Sequence, residues 1–381
     1  MTMEDLLNLP FFTDDQRSFA RELDVNARQH TWPDPELDDA AALKGALATL
    51  GKSGSLKHAV GEPWSMRANV LAREVLAYHS GIADLAWAMQ ALGGVPLLIA
   101  GNDAQKQQIL AKAITGEHCL GFAITEPDAG SDLSRLSLRA QKAGDEYFLT
   151  GEKHLVSNVG VADYFVLFAR TSDERRGVSA FLLPTKLHGL SFELQRPLSP
   201  HPLGRMIFDK VKLPASALIG DEGDGMGIAL GTLGRMRTTV AAAANGFARR
   251  ALDEALKHAG QREMFGKTLA EQPIAQGILA EMRARLDASR LLTYRAAYEF
   301  DNGAKRIPMQ AGIAKWQSTE NAQWIIDKAL QLGGGMAALH GSIFERLYRE
   351  IRPLRIYEGA SEVQQLVISS EMLKEAGNTD G

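Results

Sequence analysis

Beyond the glycine-acidic segment Gly220-Asp221-Glu222-Gly223-Asp224-Gly225, three stretches hold a helical apolar period: Leu230 to His258, Glu271 to Asp301 and Met309 to Leu332. Each runs for about 25 to 30 residues, well beyond the ordinary globular helix, and helices of that length need long partners to bury their apolar stripes. The pattern predicts a helical bundle over residues 226–381, with members able to pack across subunits.

The first 117 residues also read as helical. Thr13-Asp14-Asp15-Gln16 has the spacing of a capping box, opening a helix toward His30, and further periodic stretches cover Met66 to Tyr78, Asp84 to Leu92 and Asp103 to Thr115. Between the helical parts, residues 118–225 carry short alternating or aromatic segments bounded by Gly, Pro and Asp: Leu120 to Thr125, Tyr147 to Thr150, Asp163 to Arg170, Val178 to Leu183 and Arg205 to Leu213. Three domains follow: all-α over 1–117, β over 118–225, and the bundle, an α+β chain of ample size for a buried core.

Charge and composition narrow the function. A net charge of −4 gives no general attraction to nucleic acid. Cys119 is the single cysteine, which rules out an intrachain disulfide and a cysteine-rich zinc site. No apolar run approaches the ~18 residues of a membrane span. The first residues, Met1 to Leu7, are acidic where a secretory or mitochondrial leader is basic, so a cytoplasmic location is expected, with neither membrane nor nucleic-acid partner.

Several chemistries fail on spacing. Gly45 with Gly51-Lys52-Ser53, and Gly260 with Gly266-Lys267-Thr268, each have five intervening residues where a phosphate loop needs four. There is no G-x-G-x-x-G, no G-x-S-x-G and no H-E-x-x-H, so no metal is expected.

What remains is a set of ordered motifs. In Ile356-Tyr357-Glu358-Gly359-Ala360-Ser361-Glu362-Val363-Gln364 a carboxylate stands beside a glycine, at the mouth of a helix starting near Ser361. Apolar neighbours would raise its pKa into the general-base range. The segment Phe122-Ala123-Ile124-Thr125-Glu126-Pro127-Asp128-Ala129-Gly130-Ser131-Asp132 joins a strand to a small-residue loop whose backbone N–H groups suit an anion. Gly151-Glu152-Lys153-His154-Leu155-Val156-Ser157-Asn158 reads as a hairpin strand. Arg262-Glu263-Met264-Phe265-Gly266-Lys267 places between two helices an arginine suited to a diphosphate. Gln331-Leu332-Gly333-Gly334-Gly335 carries more glycine than helix termination needs, allowing close approach of a ligand.

These five motifs, in this order and spacing, resemble those of the acyl-CoA dehydrogenase family over almost the whole chain, most weakly in residues 1–100. The resemblance implies an N-terminal helical domain, a middle β-barrel or sandwich and a C-terminal four-helix bundle, with FAD as cofactor. Glu358 would be the catalytic base. Ile124 and Thr125 would meet the pyrimidine side of the flavin, Ser131 a phosphate or the thioester ligand, and Ser157 would donate to flavin N5. Leu155 stands where members often carry an aromatic residue on the ring. Arg262 and Phe265, with Gln331, Gly334 and Gly335, would reach the FAD of a neighbouring subunit, while Pro273 replaces a glutamine near the adenine. Ala360 and Glu362 would also touch the cofactor, and Arg237 and Gly359 the substrate, Gly234 standing where an acidic residue is common.

The implied activity is α,β-dehydrogenation of an acyl-CoA to a trans-2-enoyl-CoA, with electrons passed to an electron-transfer flavoprotein by a homotetramer or dimer. An acyl-thioester oxidase, or a dehydrogenase of carrier-protein thioesters, uses the same fold. A thioester-binding protein without turnover is the non-enzymatic alternative, against which Glu358, Ser157 and Arg262 argue.

Overall fold

The structure, a computed structural model, describes residues 1–174, 177–304 and 306–377. N-terminal helices lead into a middle β-sheet and then into C-terminal helices. By internal packing the chain forms two compact units: Met1–His30 and Ser65–Gly81 join the chain from Gly234 onward, and Thr31–Trp64 joins Ile82–Leu233.

In the first unit, Asp14–Gln29 starts where the sequence predicts. Thr13 accepts from Gln16 N while Gln16 accepts from Thr13 N, and Ala20, Leu23 and Ala27 face inward. The next helix, Met66–His79, has a cap that no local pattern reveals: Asp301, 235 residues from Met66, accepts from Met66 N at 2.8 Å, Arg67 N at 3.0 Å and Ser65 Oγ at 2.7 Å. The long helices are Gly225–Gln261, which starts in the other unit, Pro273–Asp301 and Pro308–Ala337. Two of them have proline in the first turn, where its missing N–H leaves no helical bond unmade. Val240, Phe247, Leu252, Met282, Leu286, Ile325 and Ile326 form their common core. Ile343–Leu354 adds Phe344, Leu347, Ile351 and Leu354, one face of an amphipathic helix.

In the second unit eight strands share one sheet: β1 Leu120–Ala123, β2 Arg139–Ala143, β3 Glu146–Ser157, β4 Tyr164–Arg170, β5 Val178–Pro184, β6 Leu190–Gln195, β7 Leu203–Pro214 and β8 Leu218–Ile219. The order is β6-β7-β3-β2-β4-β5-β8, with β1 parallel to β4. Against β7, β3 shifts register between Leu149 and Gly151 and again between Lys153 and Val156, bulges that bend the strand and re-aim its side chains.

The helix Gly81–Ala100 overturns the expectation of no membrane-length apolar run: it is long and apolar enough to span a bilayer. Its apolar window is 83% buried inside the protein, the situation of a core helix.

Candidate active site

Two adjacent left-handed residues shape the C-terminal loop: Glu358 has φ +52° and Gly359 φ +91°. A side chain at Gly359 would be strained by this φ, and its Cβ, 2.3 Å from Gln364 Nε2, would displace that amide from its bond to the loop. Lys315 Nζ donates to the Gly359 carbonyl at 2.7 Å, and Gln364 Nε2 donates to the same oxygen at 2.9 Å. Glu320 clamps the two ends of the loop, taking Arg355 at 2.7 Å and the Ser361 hydroxyl at 2.5 Å.

Three charges meet here. Arg237 on the Gly225–Gln261 helix and Lys315 on Pro308–Ala337 both feel the Glu358 carboxylate. Burial pushes the Lys315 ammonium down to about 8; Glu358 opposes the fall and Arg237 adds to it. Arg237 is also lowered by burial, again against Glu358, and its Nε is buried without a hydrogen-bond partner among the described residues. The apolar wall expected around Glu358 is not supplied by its neighbours, as Ile356 is 58% and Tyr357 39% exposed. Cations take that place.

Lys315 escaped the sequence reading because a lone lysine on a long helix reads as solvated. The signal was its register: Ala311, Ser318, Thr319 and Ala322 are all buried, which puts position 315 in the middle of an inward face.

In the sheet unit, the loop after β1 is latched from beneath. Buried Glu126 accepts from Ser137 N at 2.6 Å, Ser137 Oγ at 2.7 Å and Leu138 N at 3.1 Å. Lys153 Nζ, on β3, donates to Glu126 at 2.7 Å and to the Ile124 carbonyl at 3.0 Å. Burial pushes the Lys153 ammonium down to about 8, with Glu126 opposing. His154 N, on the same strand, donates to Thr125 O at 2.8 Å. Ile124 is thereby buried and Thr125 half-buried, while Ser131 stays exposed. Leu155 sits in the second bulge with φ +52° and is 56% exposed, so the bulge turns it outward.

Ser157 ends β3 half-buried, its Oγ 3.4 Å from His201 Nε2. His201 Nδ1 lies 2.8 Å from the Ser199 carbonyl, which only accepts, so Nδ1 carries the proton. Burial pushes His201 below the usual imidazole range, which leaves Nε2 an acceptor facing the serine. The proline-rich loop from Pro197 to Gly204 supplies this histidine.

The remaining expected residues lie on the chain's surface. Arg262, Phe265, Gln331, Gly334, Gly335 and Glu362 are exposed, and Ala360 is half-buried. Gly334 breaks the helical path, with φ +66° and ψ −157°. A Cβ at Gly130, Gly334 or Gly335 would meet nothing within 4 Å, so backbone at these positions borders open space. In the sheet unit, the open backbone at Gly130 and the hydroxyls of Thr125, Ser131 and Ser157 are donors that suit a phosphate or a polar ring edge; in the helical unit, the Arg262 guanidinium and the open backbone at Gly334 and Gly335 suit a diphosphate.

Comparison with known proteins shows the family and the fold. The acyl-CoA dehydrogenase middle domain matches residues 121–211 and the acyl-CoA dehydrogenase C-terminal domain residues 223–373. A 3-(aryl)acrylate reductase of Clostridium sporogenes is 38% identical over 81% of this chain and 83% of its own length. The caffeyl-CoA reductase-Etf complex subunit CarC of Acetobacterium woodii is 37% identical, over 80% and 82%. Among solved structures, a glutaryl-CoA dehydrogenase of Mycobacterium smegmatis in complex with FADH2 superposes with a TM-score of 0.86 at 25% identity, covering 95% of each chain.

Proposed function

The chain belongs to the acyl-CoA dehydrogenase family of flavoprotein oxidoreductases, and from that premise we propose that it binds FAD and dehydrogenates an acyl-CoA thioester at the α,β position, with Glu358 as base. The observation that carries this reading is the left-handed Glu358-Gly359 turn, held by Lys315 and Gln364 and faced by Arg237. Arg237 and Lys315 both interact electrostatically with that carboxylate. Glu358 takes the α-proton, and by the family resemblance its own backbone N–H would donate to the thioester oxygen as charge develops there. Bound FAD would supply the acceptor for the hydride leaving the β-carbon.

Thr125, Ser131, Ser157 and the backbone at Ile124 would hold the cofactor on the sheet side, with Leu155 near the ring and Ala360 and Glu362 at the base loop. Arg262, Phe265, Gln331, Gly334 and Gly335 would serve the cofactor of another subunit in a homotetramer, which fits their exposure on the single chain. Reduced flavin would pass its electrons to an electron-transfer flavoprotein; the Acetobacterium relative, named as a subunit of an Etf complex, supports this.

The test is anaerobic single-turnover bleaching of the flavin by butyryl-CoA and 3-phenylpropionyl-CoA. Glu358→Gln should retain flavin and thioester binding yet reduce the flavin about 10²- to 10⁴-fold more slowly. Bleaching at the parental rate would remove Glu358 from the role.

A second reading concerns direction. Two relatives named as reductases favour the reverse reaction, in which the Glu358 carboxyl returns a proton to the α-carbon of a 2-enoyl thioester. Mixing photoreduced protein with cinnamoyl-CoA decides it: rapid full reoxidation supports the reductase, and slow or incomplete reoxidation the dehydrogenase.

A further inference from the structure

We propose that Lys315 is a positioning residue for the base: its ammonium fixes the Glu358-Gly359 turn through the Gly359 carbonyl, 2.7 Å away, and so aims the Glu358 carboxylate beside a positive charge. The proposal rests on the reading of Glu358 as base. The Lys315 side chain is fully buried, yet its Nζ donates to a carbonyl at 2.7 Å rather than to a carboxylate. Burying an ammonium is costly, and a methionine of similar length would fill the space without that cost. What the lysine provides is therefore local: a charged donor at the one carbonyl that locks two consecutive left-handed residues, and a positive charge beside the base.

The surrounding charges leave that role to Lys315. Glu320, on the same helix, is already engaged by the Arg355 guanidinium at both oxygens and by the Ser361 hydroxyl. Glu362, from the Ser361–Gly377 helix, is exposed and interacts with Lys315 more weakly than Glu358 does. Arg237, from the Gly225–Gln261 helix, repels Lys315 and attracts Glu358. Gln364, the second donor to the Gly359 carbonyl, is neutral and shapes the turn without charging it.

The experiment compares the flavin-loaded parent with Lys315→Met, Lys315→Arg and Glu358→Gln. Flavin reduction by butyryl-CoA is followed in single turnover from about pH 5 to about pH 9, with thioester affinity and thermal midpoint measured alongside. Lys315→Met should reduce its flavin on the order of 10²-fold more slowly, the scale of an angstrom-level misplacement, with butyryl-CoA affinity changed by less than about threefold. Its acid limb should move to higher pH, because the carboxylate has lost a cation. Lys315→Arg, which keeps charge and donor, should return the limb toward the parental position. A merely structural lysine would lower the thermal midpoint and flavin content but leave the limb in place; that result overturns the proposal. If Lys315→Met fails to fold, infrared difference spectra of the parent against Glu358→Gln decide instead. The Glu358 carboxylate band should shift as Lys315 discharges near its value of about 8, and an invariant band overturns the proposal. Parental bleaching by Glu358→Gln would sink the base assignment itself, whereas a disabled Glu358→Gln beside an unaffected Lys315→Met would sink only the role of Lys315.

Discussion

His201 is half-buried and desolvation lowers its pKa, which gives its protonation a sign in the stability of the protein. Its folded pKa lies below the ordinary value of 6.5 because of burial, with the Ser199 carbonyl and Asp39 opposing. The unfolded chain then binds the proton more readily. The contribution is fully present above about pH 6.5 and is lost as pH falls toward the folded value, at no more than about 1.4 kcal/mol per pH unit. Urea midpoints taken from about pH 7.5 down to about pH 5 should therefore fall less steeply for His201→Asn than for the parent; parallel curves would remove His201 from the acid response. The same residue marks a limit of sequence reading. Ser157 was legible because its hairpin has a motif, whereas His201 reaches it from a proline-rich loop 44 residues on, which no local period reports. Glu358 was legible as a residue but not in its surroundings, since Arg237 and Lys315 arrive from two other helices.

Elements were most readable where their ends are chemically local. Thr13 and Gln16 announce one helix within four residues, and the structure begins it there. Gly81–Ala100 shows the opposite. The periodic stretch read from the sequence covers only Asp84 to Leu92, and Gly93-Gly94 and Pro96 follow it. Both glycines allow close packing: a Cβ at Gly93 would lie 2.6 Å from Leu120 Cβ, and one at Gly94 2.5 Å from Val60 Cγ1. The helix therefore runs on through Pro96. Asp301 is the third case, a helix cap supplied from the far end of another helix. Its carboxylate takes two backbone N–H groups and the Ser65 hydroxyl, and pairs with Arg67 at 2.9 Å. Asp301→Ala should cost about 2 to 4 kcal/mol, more than an exposed cap, since it also strands a largely buried guanidinium. Urea denaturation measures this, and a loss below about 1 kcal/mol would mean that Ser65 alone suffices as the cap.

At the scale of the molecule, the surface of the helical unit argues for assembly. Phe265 is 89% exposed, Ile274 81%, Met336 75% and Leu366 68%, large apolar side chains left at the surface. Phe265 and Met336 lie in the Arg262 and Gln331 motifs, the segments proposed to serve a neighbour's cofactor. Oligomerisation and flavin retention should then be one equilibrium. If Arg262 holds the diphosphate as proposed, Arg262→Ala would remove a charge-assisted contact worth about 1.5 to 3 kcal/mol, or roughly a 10- to 150-fold rise in the dissociation constant for FAD. Titration of FAD into flavin-free protein measures it. If the arginine acts across an interface, dilution of the parent should release flavin in step with dissociation seen by sedimentation, while Arg262→Ala releases it at concentrations where the oligomer persists. Flavin held equally well by parent and variant would refute the cofactor role of Arg262. Flavin that stays bound to a dissociated parent would place the whole cofactor site within one chain, leaving the exposed Arg262 and Gln331 segments to some other use.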